Sequence, residues 1–134
     1  MTSIAIVRSE FNSEITSKML KIARVHAKRL GLKVVAEITV PGAFDMPLAI
    51  SKMLKRKDVD GVAAIGAVIK GQTKHDELIS YQLANAIVGL SLKYEKPVGL
   101  GVMGPGITWK QAQARINQYA KQSVEAVQRM HKAL

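Results

Sequence analysis

Gly66-Ala-Val-Ile-Lys-Gly-Gln-Thr-Lys-His-Asp-Glu77 is the stretch that decides the fold. The apolar run from Gly61 to Ile69 leads into it and reads as a strand buried in a parallel sheet. Lys70-Gly71-Gln72-Thr73 follows, small, polar and flexible, and His75-Asp76-Glu77 opens a helical pattern. A glycine-containing loop between a strand and a helix start presents free backbone N–H groups and the positive end of the helix dipole to an anion. His75 adds a side chain able to move a proton near neutral pH. Two readings stay open here: an anion seat with an acid/base beside it, or a turn glycine and a histidine near a helix cap.

The flanking sequence repeats the same strand-loop-helix unit. Ser3 to Arg8 is a short apolar strand, and Ser9-Glu10-Phe11-Asn12 is a loop with Asn12 or Ser13 as helix N-cap. Ile15, Met19, Ile22, Ala23, His26 and Leu30 recur at helical spacing until Gly31. Leu32 to Val40 is a second strand, Pro41-Gly42 a turn, and Ala43 to Arg56 a second helix with Pro47 in its first turn. Asp58 to Gly61 is a loop into the third strand. Asp76 to Tyr94 is a third helix, striped by Ile79, Leu83, Ala86, Ile87 and Leu90. Pro97 to Met103 is the fourth strand, Gly104-Pro105-Gly106 a loop, and Thr108 caps a last helix running to about Lys132. Strands alternating with helices predict an α/β fold: one domain over residues 1–134, a four-stranded parallel sheet with helices on both faces.

Composition narrows the function. The chain has 134 residues, 48% hydrophobic, enough for one core-bearing domain. Cysteine is absent, which removes disulfides and thiol chemistry. The longest apolar run, Gly61 to Ile69, is too short to span a bilayer, and no basic-then-apolar leader precedes Ser3. The sequence therefore reads as a soluble cytoplasmic protein. Twenty Lys and Arg against ten acids give a formal charge of +10, which favours anionic partners. The basic residues spread along helices, and aromatics are only 4%, so a base-stacking platform for nucleic acid is not expected.

In a parallel sheet the strand-to-helix loops gather at the carboxyl edge, where ligands bind. Four such loops carry Phe11, Pro41 to Asp45, Lys70 to His75, and Gly104 to Thr108. Phe11, an aromatic in a polar loop, is either a stacking plate for a flat ligand or a local core plug. Phe44 begins an apolar helix face and reads first as core. Asp45 is a first-turn dipole partner or a ligand acceptor. His26 reads as a helix-face residue and His131 as a cation near a helix C-terminus.

Four motifs together are specific: Glu10-Phe-Asn12, Val40-Pro-Gly-Ala-Phe-Asp-Met-Pro47, Gly66 to Asp76, and Gln111-Ala-Gln-Ala-Arg115. In this order, each at its place in the topology, they resemble lumazine synthase, most closely its short archaeal form, over nearly the whole chain. The resemblance implies a three-layer sandwich with flavodoxin-like strand order. It implies a transferase of riboflavin biosynthesis that condenses 5-amino-6-ribitylaminouracil with 3,4-dihydroxy-2-butanone 4-phosphate, with no metal and no cofactor.

The resemblance also implies roles by position. Phe11, Ala43, Phe44, Asp45, Ala67, Val68, Ile69 and Leu100 would meet the pyrimidine and its ribityl chain. Gln72, Thr73 and Arg115 would hold the phosphate, Arg115 through a charge-assisted fork. His75 would transfer protons. Leu100 stands where many relatives carry an aromatic, so one wall of the stacking sandwich would be aliphatic. Members assemble as homopentamers with sites between subunits, and some pack twelve pentamers into an icosahedral shell of sixty subunits that associates with riboflavin synthase. Two other functions suit the same fold: an archaeal-type riboflavin synthase, and a non-catalytic shell protein holding anions or RNA. The His75 loop and the Gln111-to-Arg115 motif argue against the first, the intact set of site residues against the second.

Overall fold

The computed structural model describes residues 1–134. Strand β1 (Ser3–Ser9) leads to helix α1 (Ser13–Arg29), then β2 (Lys33–Val40), a 3-10 turn (Ala43–Asp45), α2 (Met46–Leu54), β3 (Gly61–Ile69), α3 (His75–Tyr94), β4 (Val98–Ile107), α4 (Trp109–Ala114) and α5 (Ile116–Ala133). The sheet order is β2-β1-β3-β4 and every pair is parallel. This is the doubly wound arrangement the sequence predicts, with the order reversing between β1 and β3. No helix is long and apolar enough to cross a membrane.

Alternation along the central strands divides the core into two layers. Ile4, Ile6, Ala63 and Ile65 face α1 and α5, where Met19, Ala23, Ala120 and Val124 complete one cluster. Ala5, Val7, Val62 and Ala64 face α2 and α3, where Ile50, Leu54, Leu83 and Ile87 complete the other. β3 is buried along its first seven residues, as its unbroken apolar run requires. Gly99 and Gly101 let α5 lie directly on β4: a Cβ on Gly99 would stand 1.8 Å from the carbonyl oxygen of Ser123.

Four details differ from the sequence reading. The second helix starts as a 3-10 turn over Ala43–Asp45 and ends at Leu54, so the loop before Met46 stays tight. β4 continues through Gly104-Pro105-Gly106 to Ile107 instead of stopping at Met103. The ladder pairs Ala67 with Met103 and Ile69 with Ile107, so those three residues form a bulge opposite Val68 alone. The last helix is broken: Thr108 caps α4 through a reciprocal pair with Gln111, and Arg115 interrupts before α5. His26, a residue of the α1 face, gains a partner that the sequence does not disclose: it is buried, its Nε2 2.7 Å from Glu125 Oε1 across the α1–α5 contact.

Candidate active site

The carboxyl ends of β1 and β3 flank the point where the sheet reverses its winding, and a cavity of about 490 Å³ opens there. Each wall comes from a different loop. Ser9, Phe11 and Asn12 follow β1; Gly42, Ala43 and Phe44 follow β2; Ala67 to Ile69 end β3; Gly71, Thr73, His75, Asp76 and Ile79 continue into α3.

The loop after β1 is held by Asn12. Its backbone is left-handed (φ 63°), and its side chain caps nothing. Instead Nδ2 donates to the carbonyl of Ala67 at 2.8 Å, tying the β1 loop to the end of β3. Phe11 is thereby presented at 59% exposure, which excludes the core-plug reading. Phe44 is 73% exposed, so the expectation of a core residue is overturned as well. The 3-10 turn rotates it out of the helix face that Met46 and Ile50 bury. Two exposed aromatics on neighbouring loops suit a flat ligand.

The loop after β3 is the polar wall. Lys70 N–H continues the ladder by donating to the Ile107 carbonyl at 2.8 Å. The N–H groups of Gly71 to Lys74 then run free, and Thr73 Oγ1 accepts from the His75 N–H at 3.3 Å where α3 begins. His75 is exposed at the cavity, and the twenty-residue α3 points its positive end there.

Of the residues singled out in the sequence, the chain itself brings Phe11, Ala43, Phe44, Ala67, Val68, Ile69, Thr73 and His75 to one cavity. Four stand outside its lining. Asp45 Oδ2 accepts from the Gly42 N–H at 3.0 Å and closes the 3-10 turn. Gln72 is exposed on the free loop. Leu100 lies on edge strand β4, 44% exposed. Arg115 lies at the α4–α5 break, where Nη1 donates to the Gln111 carbonyl at 3.4 Å. Asp76 is the residue the sequence reading passed over. It reads as one more acid in a first helical turn, yet it is 5% exposed and Oδ2 accepts from the Gly106 N–H at 2.9 Å. Only the bulge in β4, invisible to periodicity, brings that amide to it.

The sequence model of the 6,7-dimethyl-8-ribityllumazine synthase family matches residues 1–134. Among curated relatives, the 6,7-dimethyl-8-ribityllumazine synthase of Staphylothermus marinus is 52% identical over 130 residues, covering 97% of this chain and 87% of the relative. That of Methanocaldococcus jannaschii is 49% identical over 134 residues, covering 100% and 94%. That of Methanococcus vannielii is 48% identical over 134 residues, covering 100% and 95%. A family match over the full length, with the cavity built from the loops that carry three of the four motifs, places this chain in the 6,7-dimethyl-8-ribityllumazine synthase family.

Proposed function

We propose that the chain catalyses the condensation of 5-amino-6-ribitylaminouracil with 3,4-dihydroxy-2-butanone 4-phosphate, giving 6,7-dimethyl-8-ribityllumazine in riboflavin biosynthesis. The 5-amino group forms an imine with the ketone and water leaves. Inorganic phosphate is then eliminated, and the ribityl-bearing nitrogen closes the ring with loss of a second water. No electrons are exchanged, so the scheme uses no redox cofactor. Because a phosphorylated substrate does not cross a bilayer unaided, the reading places the enzyme in the cytoplasm.

The observation that carries this reading is the two-sided cavity. Phe11 and Phe44 offer faces for a planar ring on one side, and Gly71 to His75 offer amides and a proton carrier on the other. In the proposal Phe11, Ala43, Phe44 and Asp45 hold the pyrimidine and its ribityl chain, with the backbone of Ala67 to Ile69 along the ring edge. Gln72 and Thr73 take the phosphate, and His75 relays protons between amine, imine and leaving group.

Arg115 and Leu100 enter from a neighbouring subunit of a homopentamer. Two features support assembly. The cavity lining of one chain includes no Lys or Arg for a dianionic phosphate. Helix α3 also exposes Leu78, Tyr81, Val88 and Leu92 on one stripe, a contiguous apolar face suited to a partner. Pentamers in a sixty-subunit shell, with riboflavin synthase alongside, are the further extension of this reading.

The test is product absorbance from the two substrates, with wild type and His75→Ala. Lumazine formed above the uncatalysed rate by the wild type, and about a hundredfold more slowly by the variant, is the expected result. Equal rates would remove His75 from proton transfer. Riboflavin produced from lumazine alone would instead identify a riboflavin synthase.

A further inference from the structure

Of the fourteen side chains lining the cavity, only His75 and Asp76 are ionisable, and they are neighbours in sequence. The role assigned to His75 leaves Asp76 unexplained. A carboxylate 5% exposed is costly unless it is bonded, so its partners matter. Its one partner in the chain is the Gly106 N–H, at 2.9 Å. Gly106 belongs to the bulge opposite Val68, with φ 75°, and the extra residues turn its N–H out of the strand ladder.

The neighbouring bond gives the pair its meaning. Lys70 N–H donates to the carbonyl of Ile107, the residue after Gly106, at 2.8 Å. The segment from Lys70 to Asp76 is therefore pinned at both ends to two consecutive residues of β4. Between the pins lie Gly71, Gln72, Thr73, Lys74 and His75; the N–H groups of Gly71 to Lys74 have no partner in the chain, that of His75 meets only Thr73 Oγ1, and the Lys74 carbonyl accepts from the Leu78 N–H where α3 begins. The bulge is itself closely packed. A Cβ on Gly104 would stand 2.6 Å from the Val68 carbonyl oxygen and 3.1 Å from Ser80 Oγ, so β3 and α3 grip it from both sides. A short loop with both ends fixed keeps its amides converged on one point, and this preorganisation is what an anion seat needs.

We propose that Asp76 is a positioning residue: by clamping the Gly106 amide it holds the far end of the 70–76 loop, and so sets both the phosphate seat and His75. This rests on the lumazine synthase reading for the identity of the phosphorylated substrate, though the clamp itself does not. The carboxylate sits in the first turn of α3, where the helix dipole and the Gly106 N–H offset its charge, so it need not repel the phosphate fully.

The experiment compares Asp76→Ala and Asp76→Asn with wild type. The carboxamide oxygen of the Asn variant accepts the same bond; the Ala variant has no acceptor. The expected result for Asp76→Ala is a KM for the ketone phosphate raised about tenfold and a kcat lowered about tenfold, with KM for the pyrimidine within twofold of wild type. Asp76→Asn should restore all three to within about threefold. A general loss of stability would not separate the two substrates in this way. Independently of turnover, amide hydrogen exchange at the two pins, Gly106 and Lys70, should be at least about tenfold faster in Asp76→Ala and near wild type in Asp76→Asn. Unchanged exchange at these amides, or equal effects on the two substrates, would overturn the proposal. Should the wild type form no lumazine, the reaction assignment fails, and the exchange measurement alone decides the clamp. Should Asp76→Ala fail to fold, Asp76→Ser takes its place: its hydroxyl stops short of the Gly106 amide, so the substrate split and the faster exchange are expected of it too, and a Ser variant with neither would overturn the clamp.

Discussion

The side-chain amide of Asn12 donates to the Ala67 carbonyl at 2.8 Å while the Asn12 backbone is left-handed at φ 63°. One residue thus sets both the turn after β1 and the distance from Phe11 to the end of β3. Asn tolerates this backbone conformation better than Ala does. Asn12→Ala should lose about 1 kcal/mol from backbone strain and about 1 kcal/mol from the missing bond. Asn12→Gly should recover the first loss only, because glycine adopts φ above zero freely. Denaturant unfolding would rank the three proteins, and affinity for a pyrimidine analogue should fall in both variants because the Phe11 loop loses its tie to β3 and keeps only its bonds to Val40 and Pro41. An alanine variant as stable as wild type would show that the bond does not hold the loop.

Gly99 is the point of closest approach between β4 and α5, where a Cβ would be 1.8 Å from the Ser123 carbonyl oxygen. That atom is backbone and cannot rotate aside. Gly99→Ala should push α5 off the sheet and cost about 3 kcal/mol, measured by chemical denaturation. Arg115 opens α5, so a shifted helix should also lower activity at temperatures where the variant is still folded.

These two positions show what the sequence discloses and what it hides. The alternation of strands and helices, the parallel sheet and the cavity edge were legible because each strand carries its own apolar run and each helix its own stripe. The boundaries of β3 coincide with that run, Gly61–Ile69. Bulge and break were hidden for one reason: Gly104-Pro105-Gly106 has the composition of a turn, and only pairing with β3 makes it strand. Phe44 was misread because periodicity assumes a regular helix, whereas the 3-10 turn changes the direction of its side chain. Asp76 was missed because its partner lies thirty residues away on that same bulge. Local pattern reports elements well, and long-range hydrogen bonds poorly.

Arg24 and Glu37 form a two-pronged pair, Nε to Oε2 at 2.7 Å and Nη2 to Oε1 at 2.6 Å, joining α1 to the edge strand β2. The hydrogen bond from Arg24 holds the Glu37 carboxyl below its ordinary value, against a smaller opposing effect of burial and with help from the charges of Arg24 and Arg8. A carboxyl whose folded value is depressed stabilises the protein above its unfolded value, about pH 4.3, and loses that contribution as pH falls through the lower folded value. Both side chains are substantially exposed, so the pair should contribute only about 0.5 kcal/mol. A double-mutant cycle with Arg24→Ala and Glu37→Ala should show this coupling at neutral pH and lose it as pH falls through the lowered folded value of the Glu37 carboxyl. Coupling that persists in acid would mean packing of the side-chain stems, not charge.

Leu78, Tyr81, Val88 and Leu92 are exposed on α3 and, with Asn85, follow a three-four spacing along one stripe. Core residues Leu83 and Ile87 occupy the opposite side of the same helix. A helix apolar on both sides is built for a second neighbour. If the proposed oligomer forms through this face, Val88→Glu with Leu92→Glu should leave a monomer by light-scattering mass with helical content intact. Retention of the wild-type mass would place the subunit contact elsewhere.

The last prediction concerns Arg115, which stands outside the cavity of its own chain while His75 lines it. If neighbouring subunits complete each other's sites, His75→Ala and Arg115→Ala damage different halves of the same site. Each variant alone should be nearly inactive. Unfolded together and refolded as mixed oligomers, they should regain activity, because a site pairing His75 of an Arg115→Ala chain with Arg115 of a His75→Ala chain is intact. Random mixing in a ring makes such sites about a quarter of the total, so about a quarter of wild-type activity is the expected ceiling. If both groups served the same chain's cavity, every site in the mixture would carry one lesion and no activity would return. The mixture therefore separates a shared site from a private one without any structure of the assembly.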